Sequence, residues 1–282
     1  MSVHVVGSRR RKLLYAIGQH SLLIAVGVFF AAPVVFIVLS SLMTARQSPG
    51  IALWPHPFRL HNFIDVFSSV RLLRYTWNTT LIATLSSVGI VVSCVPAAYA
   101  LARLRFRGRG VLFLLVLSTM MLPFQVTVIP LYVLFSHLGW IGSLRPLWVP
   151  SFFGDAFSIF LLRQFFLTIP EDLSDAARMD GASELQVMLR VIAPLAKPAI
   201  AAVAIFNFLY NWNDLFGPLL YLSQKPGSYT LSLALSEFQG ARHVQWNLTM
   251  AAALLIMLPT TVIFFLAQRV FVEGVTVTGV KG

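Results

Sequence analysis

Apolar positions along this chain gather into six long runs, at roughly 21–43, 79–102, 111–135, 147–169, 199–222 and 248–271. Each comes close to the roughly 20 residues that carry an α-helix across about 30 Å of hydrocarbon. The bilayer core has no water for unpaired backbone groups, so six separate runs predict helices rather than a barrel. Prolines 33, 96, 123, 130, 218 and 259 fall within the runs and predict kinks or broken turns. Between the fourth and fifth runs the periodicity stays helical, but the residues turn polar. Pro170, with Glu171 and Asp172 behind it, suits a helix start; Leu173, Ala176 and Ala177 then share a face, and Gly181 fits a left-handed stop. Ser183 followed by Gln186 reads as a capping box. It opens a second short helix whose Leu185, Met188, Leu189 and Ile192 repeat at helical spacing, with Pro194 and Pro198 expected to end it.

Composition agrees with a membrane chain. Of the 282 residues, 57% are hydrophobic and only 11% charged, against about a quarter charged in a soluble domain. The formal charge of +11 could suggest nucleic acid, but the basic residues flank apolar runs in short clusters without interleaved aromatics. That is the positive-inside pattern, so the expected surroundings are a lipid bilayer, with no nucleic acid partner. Assigning 9–12, 103–110, 170–198 and the C-terminus to the cytoplasm places thirteen of the 21 Lys and Arg there (9–12, 103, 105, 107, 109, 178, 190, 197, 269 and 281). Both termini are therefore expected in the cytoplasm. The organisation predicted is a cytoplasmic N-terminus at 1–20, a six-span domain at 21–271 and a cytoplasmic tail at 272–282. The run after "RRRK" at 9–12 is too long for a signal-peptide core and ends without a small-residue cleavage site, so it is read as a retained first span. A single cysteine, Cys94, excludes a disulfide within the chain and a cysteine metal cluster.

The polar stretch lies in the longest inner loop of this topology. Residues 171–190 hold five acids, Glu171, Asp172, Asp175, Asp180 and Glu184, against Arg178 and Arg190, a net −3 in a basic chain. Each such charge would cost about 2.5–3.5 kcal/mol at the bilayer centre, so the segment cannot span. Two readings fit a helix–glycine–helix element tethered at both ends: an amphipathic interfacial hairpin, or a docking element whose alanines and glycine allow close approach while its acids orient a partner.

The residues of this loop also carry a likeness. "DAARMDGASELQVMLRVIAP" resembles the EAA loop of ABC-importer permeases, with Asp175, Ala176, Ala177, Gly181 and then, nine residues on, Val191, Ile192, Ala193 and Pro194 at the family spacing. Asp175 stands where the consensus has Glu, Val191 where it has Ile, and Ala193 where it has Leu. Together with "IFLLRQFFLTIPEDLSDAARMDGA", "YNWNDLFGPLLYL" and the tail "GVTVTGVKG", the chain resembles the shorter six-span permease of maltose-type sugar importers. The resemblance implies an all-α polytopic fold of the type I ABC-importer class, with the loop at 170–198 as a cytoplasmic coupling element. It implies docking on an ATPase through Asp175, Ala176, Ala177, Asp180, Gly181, Ala182 and Pro194. It further implies a second permease subunit, two ATPase subunits carrying ATP and Mg, an extracytoplasmic solute-binding protein, a sugar substrate and a bacterial or archaeal inner membrane. The chain has no Gly-x-x-x-x-Gly-Lys-Ser/Thr phosphate loop, in keeping with nucleotide chemistry on a partner and no cofactor here.

Polar residues inside the spans are the remaining candidates. Asn207, Tyr210, Asn211 and Asp214 fall on one face of the fifth run, and Asp155 lies some eight residues into the fourth. Either they line a solute pathway, or they form hydrogen bonds between helices. Arg163 reads as a snorkelling or anchoring residue. No metal-ligand spacing or catalytic constellation emerges from the six histidines. The expectation is a non-enzymatic transport subunit; a permease for a peptide or phosphonate, or an intramembrane enzyme, are the alternatives. "EGVTVTGVKG" at 273–282 looks too polar and Gly-rich to continue the sixth span, which leaves a frayed tail or an extended segment inserted between subunits.

Overall fold

The computed structural model describes residues 4–48, 54–238 and 245–279. No strand occurs among them, and the helices in chain order are α1 (His4–Ser41), α2 (Asn62–Ser69), α3 (Leu72–Arg103), α4 (Arg109–Thr119), α5 (Phe124–His137), α6 (Arg145–Trp148), α7 (Ala156–Thr168), α8 (Glu171–Met179), α9 (Glu184–Val187), α10 (Ala193–Leu195), α11 (Lys197–Asn213), α12 (Phe216–Leu222), α13 (Leu231–Glu237) and α14 (Trp246–Gly279). Three stretches are long and apolar enough to cross a membrane unbroken: Tyr15–Ser41, Leu72–Arg103 and Trp246–Gln268. If each of three bent pairs is one span, the count rises to six: Arg109–Thr119 with Phe124–His137, Arg145–Thr168 with Glu171–Met179, and Glu184–Leu195 with Lys197–Asn213, bent by 91°, 78° and 81°. The last two bends lie where the polar loop meets its flanking spans.

Three of the expected spans are not single straight helices, and proline accounts for two of the breaks. A proline lacks the N–H that would bond the carbonyl four residues back, and its ring collides with that carbonyl. Four residues before Pro123 is Thr119, where α4 stops; four before Pro218 is Asp214, the residue that ends α11. Asp214 turns extended, at φ −66° and ψ 123°, so it does not continue the helical face of Asn207, Tyr210 and Asn211. The fourth span is interrupted as well. Gly154 takes φ +80°, and the extended Asp155 caps α7 by accepting the Ser158 N–H at 2.9 Å.

At Pro194 the chain finds a different solution. A π turn over Met188–Ile192 widens the helix, Ala193 N–H reaching back to Met188, and helical backbone passes through Pro194 to Leu195. The expectation that Pro194 ends the helix is thus corrected: the stop comes at Ala196. Pro33, Pro96, Pro130 and Pro259 lie inside unbroken helices. The tail expectation is also corrected, because α14 runs to Gly279. Extending an existing helix adds a hydrogen bond per residue without a new nucleus, which outweighs the weak propensity of "EGVTVTG". Val280–Gly282 lie outside the described residues.

Two compact units divide the chain. In the unit Met1–Val70 with Phe238–Met257, the buried Asn62 amide donates to the carbonyls of Ser41 at 2.7 Å and Met43 at 2.8 Å, and accepts from Asn247 at 3.2 Å. In the unit Arg71–Glu237 with Leu258–Gly282, α3 is the central helix, packed by α7 and α11. Ile90, Cys94, Ala98 and Ala102 recur every four residues on its buried face, opposite Leu162 and Phe166 of α7 and Val203 of α11. The same core continues into the polar loop through Val187, Met188 and Ile192.

Candidate functional site

The loop forms the helix–turn–helix that its local sequence predicts. Gly181 takes φ +84°, its N–H bonding the Arg178 carbonyl at 3.0 Å while Ala182 N–H bonds Ala177 at 3.0 Å. This is the paired closure that a left-handed glycine permits at a helix end. Ser183 and Gln186 form the reciprocal cap, Gln186 Oε1 accepting from Ser183 N–H at 2.8 Å and Ser183 Oγ from Gln186 N–H at 3.4 Å.

The faces differ from the expected ones. Val187, Met188 and Ile192 are buried, whereas Leu185 and Leu189 stand 62% and 55% exposed. Three spacings across a π turn no longer superpose, and this moves the core face off the predicted stripe. On α8 only Ser174 is buried; Asp175, Ala176 and Asp180 are exposed, while Ala177 and Ala182 are half-buried against the core. One half of the loop is therefore bolted to the bundle, and the other presents small, acidic and apolar side chains outward.

A chain of polar contacts ties these halves to α3. Arg178 bridges Asp175 through Nη1 at 2.6 Å and Glu184 through Nε at 2.7 Å, and the Tyr99 hydroxyl donates to the other Glu184 oxygen at 2.6 Å. Arg178, and after it the Tyr99 hydroxyl, hold the Glu184 carboxyl below the usual carboxylate range, while Glu184 and Asp175 raise Arg178 further above its ordinary value. Nearby, the buried Arg103 donates to the carbonyls of Phe166 and Ile169 at the end of α7, where the chain turns into α8. Arg163 anchors in the same region, donating to the Leu101 carbonyl at 3.0 Å with its guanidinium 4.0 Å above the Phe113 ring. Tyr99, Arg103, Arg178 and Glu184 were not singled out as loop-positioning residues by sequence reasoning; Arg103 and Arg178 counted there only as charges. The available signal was a tyrosine and an arginine four apart at the polar end of an otherwise apolar α3.

The intramembrane candidates come together about the middle of α3. Asn207, Tyr210 and Asn211 occupy the last turns of α11, and Asp214 caps the turn beyond, its Oδ1 accepting from Gly217 N–H at 3.2 Å. Asn211 donates to Ser86 Oγ of α3 at 3.0 Å and to the Asn207 side chain at 3.0 Å, and Ser86 in turn bonds Ser151. The interhelical role holds for Asn211. It does not exclude a wall, because a cavity of about 530 Å³ is lined by Gln125, Ser151, Asn207, Tyr210, Asn211 and Asp214 amid apolar residues of α5 and α12. A second, of about 650 Å³, adds Asp155 and Ser158 and shares Pro150, Ser151, Asn207 and Tyr210 with the first. Tyr210 is 71% exposed. Neither cavity has a lysine or arginine in its lining. Among the described residues, no three His, Cys, Asp or Glu side chains group as metal ligands.

Comparison with known proteins fits this arrangement. Residues 89–277 match the family described as "Binding-protein-dependent transport system inner membrane component". The chain is 32% identical, over 97% of its length and 95% of the relative's, to the osmoprotective compounds uptake permease protein GgtD of Synechocystis sp.. It is 31% identical, over 93% and 97% respectively, to the arabinooligosaccharides transport system permease protein AraQ of Halalkalibacterium halodurans. A chain in the crystal structure of a bacterial ABC transporter involved in the import of the acidic polysaccharide alginate superposes with a TM-score of 0.80. That chain is 25% identical, and the match covers 92% of this chain and 97% of that one.

Proposed function

This chain belongs to the binding-protein-dependent transport system inner membrane component family, and we propose that it forms half of the transmembrane pathway of an importer for neutral sugars or short oligosaccharides. The observation that carries the substrate class is the double cavity around Tyr210. An exposed aromatic ring stands among neutral amides and hydroxyls, with two aspartates and no base. An aromatic face with convergent hydrogen-bonding groups suits a polyhydroxylated ring, and such mixed cavities of about 300–1,000 Å³ are the usual size for small ligands. A phosphonate would meet carboxylates without a compensating cation on this wall, which disfavours that alternative.

In this reading the second wall comes from another permease, an extracytoplasmic binding protein delivers the solute, and ATP with Mg is hydrolysed on two separate subunits. The loop at 170–198 meets those subunits on the cytoplasmic side, where both termini also lie in a bacterial or archaeal inner membrane. The exposed Asp175, Ala176, Asp180 and Gly181 supply its docking face, with Leu185 and Leu189 adding apolar contact. Pro194, exposed at the far end, and the half-buried Ala177 and Ala182 set its shape. Alternating access then requires only that the loop be contacted differently in the two ATPase states.

The test is uptake in proteoliposomes holding the whole transporter and its binding protein. Import of a labelled neutral sugar, abolished by competing sugar and untouched by peptide or phosphonate, is the expected result. Import of a peptide or phosphonate with no sugar competition would overturn the substrate class while leaving the permease role intact.

A further inference from the structure

Four arginines, Arg103, Arg105, Arg107 and Arg109, fall within seven residues where α3 ends and α4 begins. Their placement goes beyond a topological charge signal. Arg103 is turned inward, its Nη2 donating to the carbonyls of Phe166 and Ile169 while its Nε is buried without a hydrogen-bond partner. Arg105, Arg107 and Arg109 instead border a shallow, open surface depression together with Phe106. Arg105 is 87% exposed and reaches Glu171 only at 3.3 Å, Arg109 spends one nitrogen on the Leu104 carbonyl at 3.2 Å, and Arg107 has no ionic partner among the described residues.

The backbone adds donors to the same place. Gly108, at φ +85°, precedes the first turn of α4 and has no side chain to cap it, so the leading N–H groups of an 11-residue helix are left without a side-chain cap, next in sequence to Arg105 and Arg107. A Cβ at Gly108 or Gly110 would meet nothing within 4 Å, so a ligand can approach the main chain. Directly beyond lies an apolar, outward-facing helix surface: Val111 is 64%, Leu114 66% and Leu115 57% exposed. Cation cluster, open N–H groups and an adjoining apolar face follow one another along the chain, Val111 to Leu115 covering about 6 Å of helix.

From this we infer that the α3–α4 turn is a binding site for an anionic phospholipid. The phosphate sits among Arg105, Arg107 and the first turn of α4, and an acyl chain runs along Val111, Leu114 and Leu115. Guanidinium groups favour phosphate by forked hydrogen bonding, and arginines at the headgroup level attract anionic lipid. The apolar face selects a lipid over free phosphate, which gains nothing from it. The inference is independent of what the transporter carries. It has a consequence for the loop, because Arg105 divides itself between that phosphate and Glu171 at the start of α8.

The experiment uses the full-length chain in nanodiscs with Phe106→Trp as a reporter, its emission taken as the difference from the parent. Nitroxide-labelled phosphatidylglycerol and phosphatidylcholine, both labelled close to the headgroup, are compared at equal mole fraction. Preferential quenching by phosphatidylglycerol is expected, falling about fivefold in Arg107→Gln, in line with the attraction of one arginine at a charged surface. Equal quenching by the two lipids, or an unchanged preference in Arg107→Gln, overturns the site. Loss of the preference in millimolar inorganic phosphate assigns the arginines to a soluble anion and overturns the lipid assignment. Should Phe106→Trp fail to insert, Val111→Trp reports from the adjoining turn.

Discussion

Removing the Tyr99 hydroxyl is the sharpest perturbation of the loop tether. Tyr99 is 3% exposed, so Tyr99→Phe leaves its packed ring in place and deletes one hydrogen bond, the 2.6 Å contact to Glu184. A hydrogen bond to a charged group contributes about 1.5–3 kcal/mol. The Glu184 side chain is 45% exposed and keeps Arg178, so water and the guanidinium take over part of the loss. The net cost should therefore fall below that range, at about 1 kcal/mol, or roughly a fivefold rise in opening of the loop. Glu184→Gln should cost more, since it weakens the links to both Tyr99 and Arg178. The double variant should fall short of the sum by about 1 kcal/mol. Hydrogen exchange of the amides in 184–192, measured in the assembled transporter, reads this opening. The pH dependence is a second readout. Glu184 is held below its ordinary 4.5, so its contribution is complete above that value and is lost as pH falls through the lowered one. Protection should therefore be flat from neutral pH down to the ordinary carboxylate range, and then decline in the parent but not in Glu184→Gln. Additive single variants, with unchanged exchange in Tyr99→Phe, would refute the tether.

Gly181→Ala forces a side chain into φ +84° and should cost about 1–2 kcal/mol; it should lower solute imported per ATP hydrolysed while the chain still inserts, and full coupling in that variant would deny the loop its role. Asn211→Leu severs the 3.0 Å bond to Ser86 and should weaken packing of α11 on α3, seen as a lower melting temperature; loss of uptake affinity at unchanged stability would make Asn211 a pathway residue alone. Gly217→Ala places a Cβ 2.5 Å from Asp214 Oδ2 and 2.8 Å from Leu147, so it should displace the Asp214 carboxylate and alter uptake kinetics with assembly preserved on a native gel.

What was legible in the sequence depended on the range of the interactions. The glycine closure at Gly181 and the Ser183–Gln186 cap involve partners within five residues, and both form as read. The apolar runs announced the spans. Their prolines could not announce their own effects, because each outcome depends on whether neighbouring groups satisfy the freed carbonyl. Pro123 and Pro218 end helices, Pro194 is passed by a π turn, and Pro96 is carried within α3. The break before Pro218 is what removed Asp214 from its expected helical face. Contacts such as Tyr99 to Glu184 or Asn211 to Ser86 join residues 85 and 125 positions apart, and no local pattern encodes them.

Those long-range contacts converge on α3, and this suggests how loop and pathway can communicate. The C-terminal end of α3 holds the loop through Tyr99 and Arg103 and buries Ala98 and Ala102 in the core shared with Val187 and Ile192. Its middle bears Ser86, bonded to both Asn211 and Ser151, and Gly89, where a Cβ would lie 2.6 Å from the Phe152 ring. Thirteen residues separate Ser86 from Tyr99, about 20 Å of helix at 1.5 Å per residue. A close-packed helix does not absorb a shift at one end by compressing, so movement of the loop reaches the wall beside Asn207 and Tyr210 unless α3 bends on the way. Pro96 is the one point in that stretch where a backbone hydrogen bond is missing. A tilt would therefore concentrate there. Pro96→Ala, which restores the bond, should stiffen α3 and slow uptake more than it changes solute affinity; equal uptake rates in parent and variant would place the hinge elsewhere.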